Sequence, residues 1–284
     1  MSKNIVPCSI TIRNSEIRRR NVVKTLKPEE RLIVAADYSP KYFGGIAGVE
    51  KQVLALATEL QGTGVYIKVN SILRASGYGL ITKLHDLGLK VFADLKLIDI
   101  PNTMGTDGEM LAEVKPDILT VMCCAGIDGM HAVQKILGDI TEILGVTVLT
   151  SFNEEECQGI FTCSTRAGVL RFSRMAQLAG LGGLILSPKE TDVVNNRFEL
   201  TLSLNTPGIR PVWSLVEGDD QSRVLTPKKA IENGAERIVM GRPIVKAASN
   251  DKGLPQNPRE AVELTLKEVE LTLKEIEAGL SSWA

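Results

Sequence analysis

Val91-Phe92-Ala93-Asp94-Leu95-Lys96-Leu97-Ile98-Asp99-Ile100-Pro101-Asn102-Thr103 runs from an apolar segment into a charged tip. Val91, Phe92 and Ala93 read as a β-strand, and Pro101 prevents its simple continuation. Successive side chains on a strand alternate faces, so Asp94 and Lys96 share one. Asp99 follows after the strand should have ended. The stretch therefore presents a carboxylate, an ammonium and a second carboxylate together at the C-terminal mouth of a strand. A surface Asp-x-Lys pair adds little to stability. Here the pair ends a strand that looks strongly buried, which favours a chemical role.

Working outward, similar apolar runs recur at 32–36, 65–69, 90–95, 117–122, 145–150, 183–186, 201–204 and 237–240. They are short and rich in β-branched and aliphatic residues, as expected of strands buried on both faces. Helical patterns lie between them. Val49, Val53, Leu54, Ala57 and Leu60 recur close to the helical period over 48–60, and Leu111 and Val114 belong to another helix. Thr226 is an N-cap candidate before Pro227, and Asn233-Gly234 marks that helix's end. Alternating strands and helices imply a parallel sheet, and eight repeats imply closure into a (β/α)8 TIM barrel. A doubly wound sheet would need a phosphate- or dinucleotide-binding glycine motif, and neither G-x-G-x-x-G nor a P-loop occurs.

The 284 residues suffice for such a barrel, which needs about 250. The expected organisation is an N-terminal extension over 1–29, capping the barrel bottom or partly disordered, and one barrel domain over 30–284 that includes a final helix. That helix spans 258–280, with Val262, Leu266, Val269, Leu273, Ile276 and Leu280 at 4,3 spacing. It is too short for a convincing coiled coil, so it is expected to pack on the barrel wall.

The formal net charge is −1 with both signs mixed throughout, which suggests neither a nucleic-acid nor a membrane partner. Arg18-Arg19-Arg20 is too short to change that reading. No apolar stretch approaches the roughly 20 residues that span a bilayer, and Ile5-Val6-Pro7 is too short for a signal-peptide core. Five cysteines, Cys8, Cys123, Cys124, Cys157 and Cys163, are odd in number and irregular in spacing, unlike a disulfide framework. Cys123 and Cys124 follow an apolar run and read as small buried hydrophobes. A metal site on Cys157 and Cys163 would need two more ligands, and only His85 and His131 are available as histidines. A cytoplasmic protein with reduced thiols and no metal is expected.

In barrel enzymes the active site lies at the C-terminal strand ends. The predicted ends carry Asp37 after the first strand, Lys68 on the second, Asp94, Lys96 and Asp99 on the third, Leu149-Thr150-Ser151 on the fifth and Gly241-Arg242 on the eighth. Such charges are costly to desolvate unless paired. Lys68, Asp94, Lys96 and Asp99 can alternate in sign, which favours the ionised form of each. Gly241 allows close backbone approach, and Arg242 offers a fork for phosphate oxygens where barrels often hold phosphate. The long loop holding Arg210 and Asp219-Asp220-Gln221 is of a length that is usually functional or disordered.

Asp-x-Lys-x-x-Asp followed by Ile-Pro-Asn-Thr closely resembles the signature of the orotidine 5′-phosphate decarboxylase family. The shorter Asp-x-Lys-x-x-Asp also resembles a wider set of ribulose-phosphate-binding barrels. The landmarks occur in the family's order from about Arg31 to Ala247: Asp37, Lys68, the 94–103 block, Leu149-Thr150-Ser151, Pro207-Gly208-Ile209-Arg210-Pro211, Gln221 and Gly241-Arg242-Pro243-Ile244. The resemblance implies decarboxylation of orotidine 5′-phosphate to UMP without metal or cofactor. It implies Lys96 as proton donor to C6, Asp94 against the departing carboxylate, and Lys68 and Asp37 on the ribose hydroxyls. Asp99 and Thr103 would reach into the neighbouring site of a homodimer. Thr150, or Ser151 if the register is off by one, would meet the pyrimidine, and Gln221, Gly241 and Arg242 the phosphate, with Arg210 nearby. Related barrels such as 3-keto-gulonate-phosphate decarboxylase and hexulose-phosphate synthase use magnesium and an enediolate. The Ile-Pro-Asn-Thr extension and Gln221 argue against them. A non-catalytic barrel would be expected to lose at least one charged member, yet all are present.

Overall fold

Eight short runs pair in sequence order and close on themselves. The protein is described by a computed structural model over residues 26–197, 199–214, 225–247 and 255–281. The strands are β1 Leu32–Ala35, β2 Tyr66–Val69, β3 Lys90–Leu97, β4 Ile118–Met122, β5 Glu142–Val146, β6 Gly183–Ile185, β7 Ser203–Pro207 and β8 Arg237–Met240. Each pairs in parallel with the next, and β8 returns to β1 through Ile33↔Val239 and its neighbours. This is the (β/α)8 barrel that the alternation predicts.

Two strands differ from the sequence reading. β5 starts three residues before the predicted 145 and ends at Val146, so Thr150 lies in the following loop and not at a strand end. Glu142 disguises the true start, because a charge inside a barrel strand is unexpected. β7 is Ser203–Pro207 and not 201–204, because polar Asn205 sits in the strand and donates from Nδ2 to the Leu184 carbonyl at 3.1 Å.

The barrel interior is layered along its axis. At the bottom, Arg237 donates from Nη2 to Glu142 Oε2 at 2.7 Å and from Nη1 to Oε1 at 3.1 Å. Ser203 Oγ donates to the same carboxylate, and Asn205 Oδ1 accepts from Arg237. The Lys90 ammonium and the Arg237 guanidinium each lie over the Tyr66 ring, 5.3 and 5.5 Å from its centroid. The 3-10 turn Pro28–Arg31 leads into β1, and buried Arg31 donates from Nη1 to the Glu236 carbonyl. Above this lies an apolar layer of Ile33, Phe92, Ile118, Leu144 and Val239, with Ile185 against it. The charged mouth is the third layer. A larger apolar cluster fills the space between barrel and helices.

The expected helix after 226 is Pro227–Glu232, with Thr226 Oγ1 accepting from Lys229 N. Gly234 follows at φ +93°, the left-handed region a C-terminal glycine serves. The last helix, Pro258–Ser281, buries Val262 and Val269. Its repeated Glu-Leu-Thr-Leu-Lys-Glu places the threonines inward and the first leucine of each outward. Thr265 and Thr272 satisfy their hydroxyls on the carbonyls of Ala261 and Glu268, four residues back, so a polar residue fits the buried face. Arg259 donates to the Glu59 and Gln61 carbonyls, and Lys228 pairs with Glu275. The helix thereby ties the first repeat to the last. Among the described residues no helix is long and apolar enough to cross a membrane.

Removing one partner of a buried ion pair strands the other charge. Arg237→Met should cost about 3 kcal/mol, read as a lower urea midpoint. The double variant Arg237→Met/Glu142→Leu should recover most of that loss; no recovery would show that the cost is packing alone.

Candidate active site

The mouth is organised by one carboxylate. Asp94 is buried and accepts four hydrogen bonds. Its Oδ2 takes Lys68 Nζ at 3.1 Å and Asn70 Nδ2 at 3.3 Å. Its Oδ1 takes Lys96 Nζ at 2.7 Å and Thr120 Oγ1 at 2.9 Å. Lys68 also donates to both oxygens of Asp37 at 3.0 Å. The result is a row of alternating charge, Asp37–Lys68–Asp94–Lys96, running from the loop after β1 to the end of β3.

Burial pushes the Asp94 carboxyl up, but the charges of Lys68 and Lys96, with hydrogen bonds from Lys96 and Thr120, outweigh it and hold the group below its ordinary range. Burial likewise pulls the Lys68 ammonium down, and Asp94 and Asp37 more than restore it. Both groups are therefore held in their charged forms near neutrality.

β3 is irregular where it carries Lys96. Between the pairs Ala93↔Leu119 and Leu97↔Val121, β3 advances four residues while β4 advances two. Lys96 sits in this bulge at φ +50°, a conformation that side chains other than glycine rarely adopt. Its N–H has left the regular ladder and donates to Thr120 Oγ1 at 3.0 Å. The same hydroxyl donates to Asp94, so Thr120 satisfies the bulge and the carboxylate together. On the other side Arg74 donates to the Leu95 carbonyl and to Asn70 Oδ1.

These groups border a cavity of about 780 Å³ at the C-terminal mouth, within the range of small-molecule sites. Asp37, Lys68, Asp94, Lys96, Thr150, Arg210, Gly241 and Arg242 all line it. Of the two alternatives, Thr150 is on the wall and Ser151 is not. Arg242 begins a helical turn, Arg242–Val245, directly after Gly241. Arg210 N donates to the Leu225 carbonyl at 2.9 Å. Gln221 itself lies outside the described residues.

Asp99 and Thr103 are not on this wall. Leu97 ends β3 and Pro101 starts the helix Pro101–Ala112, so Asp99 falls in the exposed link between them and accepts from Ile100 N. The sequence reading of Asp99 in one charged group with Lys96 is corrected: Asp99 is exposed and off the cavity wall. Ile98 and Ile100 flank it at 57% and 65% exposure, an apolar surface on either side of the carboxylate. Thr103 is half-buried in the first turn of that helix. Thr120, Asn70 and Arg74 were absent from the sequence reading. Thr120 was accessible to it: Ile118 faces the interior, and two residues on is a polar side chain in an otherwise apolar strand. Among the described residues no three His, Cys, Asp or Glu side chains group to hold a metal ion.

Known proteins resemble this chain in sequence and in fold. The family model described as orotidine 5′-phosphate decarboxylase / HUMPS family matches residues 30–254. An orotidine 5′-phosphate decarboxylase of Syntrophus aciditrophicus is 37% identical over 224 residues, covering 76% of this chain and 86% of its own. That of Pseudomonas paraeruginosa is 36% identical over 229 residues, covering 78% and 94%. The crystal structure of the Lactobacillus acidophilus orotidine 5′-phosphate decarboxylase superposes with a TM-score of 0.67 at 28% identity, covering 84% of this chain and 99% of that one.

Thr120→Val keeps the shape and removes both hydrogen bonds. It should cost about 2 kcal/mol in urea unfolding at pH 7. The stability from Asp94 is present in full above its unfolded value and lost as pH falls through its lowered native one. Removing a bond that favours the carboxylate should make this acid-side loss smaller and complete at a higher pH, and Thr120→Ser should restore the parent curve.

Proposed function

The chain belongs to the orotidine 5′-phosphate decarboxylase / HUMPS family, and from that premise we propose how its mouth converts orotidine 5′-phosphate to UMP, the last step of UMP biosynthesis. The chain is a carboxy-lyase, and the alternating row Asp37–Lys68–Asp94–Lys96 is the observation that carries the mechanism. When the C6–carboxylate bond breaks, the electron pair stays in an in-plane orbital that the pyrimidine ring delocalises poorly. Fixed charge must stabilise it, and a preorganised ammonium in a partly desolvated site does so most strongly. Lys96 Nζ, aimed by Asp94 at 2.7 Å, faces that pair and then gives it a proton, forming the C6–H bond as carbon dioxide departs. Asp94 lies against the leaving carboxylate. Its oxygens are already engaged by Lys68, Asn70, Lys96 and Thr120, which supports a reaction run by lysine charge without metal or cofactor.

Lys68 and Asp37 bind the ribose hydroxyls, and Thr150 meets the pyrimidine edge. Gly241, Arg242 and Gln221 take the phosphate, with Arg210 beside them. The phosphate is remote from the bond that breaks, so its binding energy can order the loops around the reacting end. Asp99 and Thr103 act in the neighbouring site of a homodimer; the exposed Ile98 and Ile100 beside Asp99 support a second copy on this face. Free thiols and mixed surface charge support a cytoplasmic setting.

The test follows the ultraviolet absorbance of orotidine 5′-phosphate with EDTA-treated protein. The parent should turn over metal-free. Lys96→Ala should lose about 1,000-fold or more in kcat while still binding UMP. Arg242→Ala should raise KM roughly 10- to 100-fold with a smaller effect on kcat. Turnover of ketose phosphates that EDTA abolishes would move the chain to the magnesium-dependent arm of the family.

A further inference from the structure

Cys157 and Cys163 take no part in the mechanism above, yet they are brought together beside the cavity wall. Cys157 lies in the helix Glu154–Phe161. Thr162 then turns left-handed at φ +57°, and Ser164 caps the next helix, Thr165–Leu178. The reversal returns Cys163 to Cys157, and both sulfurs lie within 4 Å of one point beside Gly168. Gly168 packs on both: a Cβ placed there would lie 3.5 Å from Cys163 Sγ and 3.7 Å from Cys157 Sγ.

The pair is asymmetric. Cys157 is wholly buried and Cys163 is half-buried. Arg171 Nη2 donates to Cys163 Sγ at 3.6 Å, a contact that strengthens when the sulfur carries negative charge. An accessible sulfur beside a cation, with a second thiol in reach, is the arrangement of an oxidation-sensitive cysteine and its resolving partner.

We propose that Cys163 and Cys157 form a hydroperoxide-responsive modification site, in which Cys163 is oxidised first and Cys157 closes a reversible disulfide. The Cys163 thiolate attacks one peroxide oxygen; the S–O bond forms, the O–O bond breaks, and the leaving hydroxide takes a proton to become water. Cys157 then loses its proton and attacks the sulfenic sulfur. The S–S bond forms, the S–O bond breaks, and a second water leaves. Two thiols and hydrogen peroxide thus give a disulfide and two waters.

The consequence reaches the active site through one residue. The Cβ position of Gly168 is also 2.9 Å from Val148 Cγ2, and Val148 lines the cavity. An S–S bond of about 2.05 Å draws the sulfurs together, and in this proposal Gly168 passes the movement to Val148. This coupling rests on the cavity being the nucleotide site; the disulfide does not.

The experiment treats the full chain with hydrogen peroxide and maps peptides by mass. The expected product is a loss of 2 Da on the peptide joining Cys157 and Cys163, reversed by dithiothreitol. Cys157→Ser should trap a dimedone adduct on Cys163, and Cys163→Ser should prevent reaction at Cys157. A disulfide to Cys8 or Cys124, or dimedone labelling that favours the exposed Cys124, would overturn the assignment. UMP affinity should weaken several-fold on oxidation and recover on reduction, and unchanged affinity would overturn the coupling. Absence of UMP binding by the reduced protein would instead fault the nucleotide reading, leaving the mass result standing.

Discussion

The Asp94 carboxylate is the group on which the mouth depends. Two ammonium groups, Lys68 and Lys96, flank it at 3.1 and 2.7 Å. Without it their like charges would repel across a partly desolvated space. With it, the charges alternate and the attraction offsets the desolvation. Because Asp94 has all four contacts satisfied by protein groups, its geometry is fixed before any ligand arrives. Preorganisation of this kind lets a site stabilise developing charge without reorganising during the reaction.

That constraint explains the distortion of β3. A regular strand would leave the Lys96 N–H in the ladder. The bulge instead holds Lys96 at φ +50°, a conformation that costs on the order of 1–2 kcal/mol for a residue with a side chain. Thr120 offsets part of this by accepting the displaced N–H, and Arg74 secures the Leu95 carbonyl from the other side. Strain at a reacting group persists only where its surroundings over-determine it. Here a threonine on β4 and an arginine in the segment after β2 do so.

Much of this was legible in the sequence, and the failures have physical causes. The strands' existence followed from apolar runs, but β5 and β7 were misplaced because Glu142, Ser203 and Asn205 are polar residues made tolerable by Arg237 and by one another. The pairing of Asp94 with Lys96 was anticipated from simple alternation; the structure reaches it through a bulge that alternation does not contain. Asp99 was grouped with them because it is near in sequence, whereas the turn into Pro101 carries it to the surface. Thr120 was readable in principle, since β3 and β4 are consecutive and therefore adjacent in a barrel. Its mark in the sequence is a polar side chain two positions after inward-facing Ile118, not a charge.

The two halves of the barrel do different work. The charged row draws on the first half alone: Asp37 after β1, Lys68 on β2, Asp94 and Lys96 on β3, with Thr120 on β4. The second half contributes the apolar wall of Val146, Val148, Ile185 and Val239, together with Thr150, Arg210 and Arg242. At the bottom the allocation reverses, because the bidentate pair joins Glu142 on β5 to Arg237 on β8. The apolar layer of Ile33, Phe92, Ile118, Leu144 and Val239 separates the bottom network from the charged row at the mouth. The charges that close the barrel are thereby kept away from the charged row at the mouth. The mouth can then carry a strained, charge-dense strand, because closure of β5–β8 is secured at the opposite end.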